Sequence, residues 1–164
     1  MDYIYIGKMV NTHGVKGELR ILSDFKYKDR IFKSGFNIYI GKDKIKETII
    51  SYRHHKVFEM VCLDGYTNIN EVLKYKGENV YILRNDLNLD KDEYLDSDLM
   101  GLSVIVDDKD IGIVKRIDKY PAHDIIVIKG AEREYLVPYI KEFVKDIDID
   151  NKKIFINNIK GLIE

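Results

Sequence analysis

The chain has 164 residues, of which 45% are hydrophobic and 34% charged, and its formal net charge is −1. This length can bury roughly 70% of the unfolded surface as one domain, or it can form two small domains. The near-zero charge argues against a general nucleic-acid-binding domain, which usually carries a clear basic excess. The sequence has neither an apolar run of membrane-spanning length nor a secretory leader at residues 1–10, so we expect a cytoplasmic protein that has no membrane partner.

The net charge hides a division of the chain into two halves. Residues 1–85 carry 15 lysines and arginines against 10 aspartates and glutamates, whereas residues 86–164 carry 12 against 18. The change in charge is sharpest at 86–98, a segment that contains six carboxylates and only one cation, Lys91. Such a run is typical of a solvated linker, but a basic half beside an acidic half also suits a protein that contacts RNA and a cationic protein.

The first predicted elements are two short strands, Ile6–Val10 and Gly17–Leu22, the second of which alternates apolar and polar residues. The connection between them contains His13, Gly14 and Lys16. It reads either as a hairpin-like turn that closes a barrel or as a functional loop. The strands on both sides argue against a phosphate loop. A Walker loop has a longer glycine spacing and a following helix, and a KH-type G-x-x-G lies between two helices.

The rest of the first half predicts a β meander with one short helix. Residues 53–55 are interpreted as a separator between two strands, and Asn68 and Glu71 have the spacing of a capping box at the start of the helix. The predicted strands are Asn37–Ile40, Lys44–Tyr52, Lys56–Leu63 and Asn79–Leu83, and the helix is Asn68–Lys76.

Short strands with regular turns resume after the acidic segment and predict a second small barrel. A single irregular helical turn is expected at 139–143, before Val144 and Ile147 return to the core. The predicted strands are Leu102–Val106, Ile111–Lys119, Asp124–Ile128, Glu134–Val137 and Lys153–Asn157. The predicted fold class is therefore all-β, with two small β-barrel domains joined by a short acidic linker and one short helix near the end of the first barrel. The predicted domains are residues 1–85 and 94–164, with the linker at 86–93.

The residue pattern contains no recognisable catalytic or metal-binding constellation. His54 and His55 would point to opposite faces of a strand, and neither an H-x-x-x-H nor a C-x-x-C spacing occurs. Cys62 lies in an apolar run and is interpreted as a buried structural thiol. A nucleophile elbow, a dinucleotide fingerprint and a calcium loop are also missing. We therefore expect a protein that is not an enzyme and that has no cofactor and no metal.

Several runs in order along the chain are together similar to one known family. The run I-G-K-M-V-N-T-H-G-V-K-G-E-L-R-I at 6–21 resembles the amino-terminal signature of the RimM family, the bacterial ribosome maturation factors. Later runs resemble that family's linker and its carboxy-terminal PRC barrel. They are D-E-Y-L at 92–95, D-L-M-G-L at 98–102, G-I-V at 112–114, P-A-H-D at 121–124, L-V-P-Y at 136–139 and D-I-D-N-K-K-I at 148–154. Two positions depart from the pattern: Leu95 replaces a second aromatic residue, which puts a paired-aromatic anchor in doubt, and His123 replaces an asparagine.

The resemblance implies a non-catalytic factor that binds the maturing small (30S) subunit, promotes assembly of its head and supports 16S rRNA maturation. The implied partners are small-subunit ribosomal protein nineteen and the pre-30S particle with its 16S rRNA, and we expect a monomer. A β-barrel module that binds tRNA or a flavin or nucleotide ligand is the alternative function, because the fold by itself does not decide function. An RNA-modifying or RNA-cleaving enzyme is disfavoured by the missing catalytic residues.

Two groups of residues are candidate binding sites. Asp92, Glu93, Tyr94 and Leu95 are predicted to bind the ribosomal protein, because an aromatic anchor can bury apolar area while carboxylates attract a basic partner. Tyr94 could instead simply pack the linker between the two barrels.

The second candidate site is formed by His13, Lys16 and Arg20, which are predicted to face the pre-ribosomal particle. Phosphate contacts at these residues would make the association sensitive to salt. A purely solubilising role for Lys16 and Arg20 is the alternative.

Overall fold

The computed structural model describes residues 2–158, and the chain divides into two compact units, Met1–Lys91 and Asp92–Glu164. The division lies inside the predicted linker. The all-β fold class with two β-rich domains is confirmed. Within residues 2–158, no helix has both the length and the apolar character needed to cross a membrane.

The first unit is a closed six-stranded barrel with strand order β1-β2-β5-β4-β3-β6. It closes because β6 pairs antiparallel with both β1 and β3, so that no strand edge is left open. Alternate residues fill its interior: Leu19 and Ile21 of β2 are fully buried, as their spacing predicts. The strands are β1 Tyr3–His13, β2 Glu18–Leu22, β3 Asn37–Ile40, β4 Ile45–His55, β5 Phe58–Leu63 and β6 Asn79–Leu83.

Short helical segments connect these strands. Helix α1 spans Lys28–Ile31, and α2 spans Ile69–Val72 and continues as a 3₁₀ turn at Leu73–Tyr75. The predicted capping box is present, because the Asn68 side chain accepts backbone hydrogen bonds while Glu71 accepts in return. A further 3₁₀ turn at Arg84–Leu87 follows β6.

The hairpin that joins β4 and β5 corrects one prediction. Residues 53–55 were expected to separate two strands, but they belong to β4, and His55 pairs with Phe58 across a two-residue turn. Lys56 occupies that turn with a φ of 58°. A run of polar residues is typical of a loop, so polar residues on the outer side of a barrel are easily mistaken for one. Their backbone nevertheless forms the hydrogen bonds of a strand.

Up to residue 158, where the description ends, the second unit is a six-stranded sheet with strand order β10-β9-β8-β7-β12-β11, and in that part only β12 and β7 pair in parallel. One hydrophobic cluster includes buried residues from five of these strands, among them Val104, Ile126 and Ile154. Helix α3 spans Asp96–Leu99. The strands are β7 Ser103–Val106, β8 Lys109–Asp118, β9 Ile125–Lys129, β10 Glu134–Pro138, β11 Val144–Asp148 and β12 Lys153–Ile156.

Strand β11 was not among the predicted strands. The predicted helical turn before it is present, because the Ile140 carbonyl accepts hydrogen bonds from the N–H groups of Phe143 and Val144. Val144 and Ile147 then pack against the hydrophobic cluster. The aspartates that alternate with them in β11 are partly or fully exposed, and their frequency disguised the strand because aspartate is rare in strands.

Candidate functional site: two polar surfaces

The turn between β1 and β2 is held against the start of helix α2. Gly14 and Gly17 have φ values of 71° and 84°, a region that favours glycine. The Val15 carbonyl accepts a hydrogen bond from the Ile69 N–H at 3.0 Å. A Cβ atom on Gly17 would lie only 2.9 Å from the Asn68 carbonyl oxygen. The turn is therefore a fixed part of the barrel, flanked by strands as predicted.

Arg20 is held by two contacts at the base of this turn. Its Nη2 donates a hydrogen bond to His13 Nδ1 at 2.7 Å, and its guanidinium carbon lies 5.5 Å from the centroid of the Phe58 ring. Because arginine only donates, Nδ1 must accept, and a neutral His13 carries its proton on Nε2. The Arg20 Nε is buried and finds no hydrogen-bond partner within residues 2–158. Lys16 is exposed on the turn itself.

Strand pairing brings further cationic residues to the same place. Arg53 donates two hydrogen bonds to Glu18, at 2.9 and 2.7 Å, and this interaction holds the Glu18 pKa below its usual value. The His55 ring centroid lies 6.3 Å from that of His13. The pKa of His55 is lowered by desolvation and then by nearby cations, which include Arg53 and Lys56.

We call this group the histidine surface, and it is defined by His13, Lys16, Glu18, Arg20, Arg53, His55 and Lys56. It has four fixed positive charges and one carboxylate, so it suits an anion. His13, Lys16 and Arg20 were predicted from the sequence, whereas Glu18 of β2 and the three residues of the β4–β5 hairpin were not. The signal for the hairpin residues was present in the run R-H-H-K at 53–56, which was interpreted as a strand separator.

His54 lies on the other side of β4, as expected for adjacent strand residues. Its Nδ1 is 2.9 Å from Glu59, a carboxylate that is only 2% exposed. Tyr52 donates a hydrogen bond to the same carboxylate at 2.7 Å, and desolvation together with this bond raises the pKa of Tyr52 to about 12. This arrangement satisfies a buried acid, which is a structural task.

The linker candidates are divided by their burial. Asp92 is exposed and Glu93 is half-buried, whereas Leu95 is only 3% exposed and donates its backbone N–H to Asp98 at the start of α3. Leu95 therefore offers little apolar area to a partner.

Tyr94 is half-buried and packs against the hydrophobic cluster of the second unit. Its hydroxyl lies 3.4 Å from the Ile147 carbonyl, which is a weak contact. Burial raises the pKa of Tyr94, and the carboxylates of Asp146 and Asp92 raise it further, as do two others. The Tyr94 surface is defined by Tyr94, Asp92, Asp146, Asp148 and Asp150. Asp146, Asp148 and Asp150 were not predicted as part of this site, because strand β11, which holds the first two and precedes the third, was not predicted.

No group of three or more His, Cys, Asp or Glu side chains within residues 2–158 is arranged to hold a metal ion. Cys62 was expected to be buried, but in β5 it is only half-buried. Both surfaces consist of charged and aromatic groups held by hydrogen bonds and packing, which is an arrangement suited to recognition.

Comparison with known proteins covers both units. The family model described as the RimM N-terminal domain matches residues 4–87, and the RimM PRC barrel domain matches residues 96–162. A Staphylococcus haemolyticus protein named ribosome maturation factor RimM is 41% identical, over 98% of this chain and 99% of its own length. One with the same name from Exiguobacterium is 38% identical, over 100% of this chain and 98% of its own length. The solution structure of the N-terminal domain of RimM from Thermus thermophilus covers 54% of this chain and 98% of its own, with a TM-score of 0.47 and 20% identity.

Proposed function

The chain belongs to the RimM family of ribosome maturation factors, and we propose that it is a non-catalytic assembly factor of the small ribosomal subunit. It acts in the cytoplasm as a monomer. It binds the maturing 30S particle, promotes assembly of the head and supports 16S rRNA maturation. Its mechanism is binding followed by release, so that the partner protein and the RNA are held in an arrangement that permits assembly.

The Tyr94 surface is the proposed site for ribosomal protein nineteen, and the setting of Tyr94 is the observation that carries this proposal. The ring packs against the hydrophobic cluster, and four nearby aspartates raise the pKa of its hydroxyl. A ring that is already ordered loses little entropy when a partner covers it. The aspartates attract a cationic ribosomal protein and orient it during encounter.

The histidine surface is the proposed site for rRNA. Arg20 is already ordered by His13 and Phe58, and Lys16 extends from a rigid turn. Ordered cations contact phosphates at a lower entropic cost than freely moving side chains do. The two surfaces lie on different units and carry opposite charge, which matches a protein that contacts RNA with one domain and a basic protein with the other.

The test is a pull-down of small-subunit precursors with the intact protein as bait. We expect the captured particles to contain ribosomal protein nineteen and 16S rRNA with unprocessed ends. The Tyr94→Ala variant should recover less ribosomal protein nineteen, and Lys16→Glu should recover less rRNA. Capture of mature subunits alone, or of neither component, would refute the proposed function.

A further inference from the structure

A row of tyrosines crosses the outer side of the first barrel. Tyr5 of β1 pairs with Tyr81 of β6, Tyr81 pairs with Tyr39 of β3, and Tyr39 pairs with Lys46 of β4. Directly paired residues share one face of a sheet. The residues that flank these tyrosines in β3 and β6 are buried in the core, so the row faces outward.

The rings support one another. Tyr3 packs edge-on against Tyr39 with centroids 5.3 Å apart, and Tyr5 packs edge-on against Tyr81 at 5.9 Å. The Lys44 Nζ lies 4.1 Å from the centroid of Tyr81 and 5.7 Å from that of Tyr3. We call these four tyrosines the tyrosine row. Tyr39 is 8% exposed and forms its base, whereas Tyr5 is 54% exposed and presents its ring to solvent.

Three lysines lie beside the row, and one of them, Lys44, lies over its rings. The turn between β3 and β4 carries Lys42 and Lys44, and Lys46 follows at the end of the row, whereas Asp43, Glu78 and Asp86 are acidic residues nearby. The first half of the chain carries 15 cations against 10 anions. A cationic ribosomal protein would meet like charge here, whereas RNA supplies both phosphates and flat bases.

We propose that the tyrosine row is a stacking platform for single-stranded RNA, with Tyr5 as the ring on which a base stacks and Lys46 as a phosphate contact. Every base has a π-face, so such a platform accepts many sequences. The identification of the RNA as a single-stranded stretch of precursor rRNA rests on the proposed function. The platform would hold an unpaired segment while the histidine surface contacts phosphates elsewhere.

The experiment measures binding of the full chain to fluorescein-labelled oligoadenylate and oligouridylate dodecamers by fluorescence anisotropy. Tyr5→Ala should weaken binding by about tenfold, because stacking of one base on an aromatic ring is lost, and Tyr5→Phe should bind like wild type. Tyr120→Ala is the matched control, since Tyr120 is 58% exposed and lies in the second unit. Lys46→Gln should reduce the slope of log affinity against log salt by about 0.7.

Three outcomes would overturn the platform: equal affinity of Tyr5→Ala and wild type, equal weakening by Tyr120→Ala, or equal affinity of wild type for a double-stranded RNA of the same length. Thermal unfolding of Tyr5→Ala separates lost binding from lost structure, and Tyr5→Phe keeps the test valid if the alanine variant is unstable. Co-sedimentation of wild type with small-subunit precursors separates the two proposals. If wild type co-sediments with the precursors but Tyr5→Ala binds the oligonucleotides as well as wild type does, only the platform is refuted. If Tyr5→Ala binds the oligonucleotides more weakly but wild type does not co-sediment, only the proposed function is refuted.

Discussion

Replacement of Tyr94 by alanine should weaken binding to ribosomal protein nineteen by about 1 to 2 kcal/mol, which is about 5- to 30-fold in Kd. The expected loss is moderate because Tyr94 is half-buried within its own unit, so only part of the ring remains for a partner to cover. Tyr94→Phe should keep most of the affinity, because it retains the aromatic ring that supplies the apolar contact area.

The same substitution also has a cost in the free protein. Complete removal of a buried aromatic side chain costs about 3 to 5 kcal/mol, so a half-buried Tyr94 should contribute about 2 kcal/mol to the stability of the second unit. Tyr135→Ala is a matched control, because Tyr135 is also partly buried against the same cluster but lies on β10. Isothermal titration with purified ribosomal protein nineteen gives the affinity, and urea unfolding gives the stability.

The comparison of these two variants distinguishes an anchor from a packing residue. An anchor requires Tyr94→Ala to lose affinity while Tyr135→Ala loses only stability. Unchanged affinity of a folded Tyr94→Ala variant would refute the reasoning. So would an equal loss of affinity in both variants, because it would assign the effect to general destabilisation.

Three further predictions concern the first unit. Lys16→Glu should weaken association with small-subunit precursors and make it less dependent on salt, as measured by co-sedimentation at several salt concentrations. Gly17→Ala should lower the free energy of unfolding by about 2 kcal/mol more than Gly14→Ala in urea titrations. Both glycines have positive φ, but only at Gly17 would the added Cβ atom lie 2.9 Å from the Asn68 carbonyl oxygen. The lowered pKa of Glu18 means that its pairing with Arg53 stabilises the fold at neutral pH and that this stability is lost as pH falls through the folded pKa. Arg53→Gln should therefore lose less stability than wild type when Tm is followed from pH 7 to pH 3.

Each of these predictions has an outcome that contradicts it. Lys145→Glu changes charge equally at an exposed position of the second unit, so an equal effect of that variant on particle binding would remove the special role of Lys16. Equal destabilisation by the two glycine substitutions would mean that the turn can move away from the start of α2 without a cost in free energy. If Tm falls by the same amount between pH 7 and pH 3 in wild type and Arg53→Gln, the pairing of Glu18 with Arg53 does not contribute to the stability at neutral pH.

Much of the fold follows from local patterns in the sequence. Alternation of apolar and polar residues identified β2 and most other strands, and the Asn68–Glu71 spacing identified the start of α2. Strand β11 was missed because its aspartates obscured the alternation, and the end of β4 was misplaced because polar residues at 53–55 looked like a turn. In both cases the tertiary pairing overrode the local composition.

The sequence by itself determined the fold class, the division into two β-rich domains and the membership of the family, because these depend on patterns that repeat over a few residues or on motifs read in order. Only the tertiary structure decided which residues share a surface. The Asp146 carboxylate raises the pKa of Tyr94, and Arg53 donates a hydrogen bond to Glu18. The tyrosine row crosses β1, β6 and β3, which are far apart in sequence. Such neighbours are set by strand order and register across the whole sheet, and no local period in the chain encodes them.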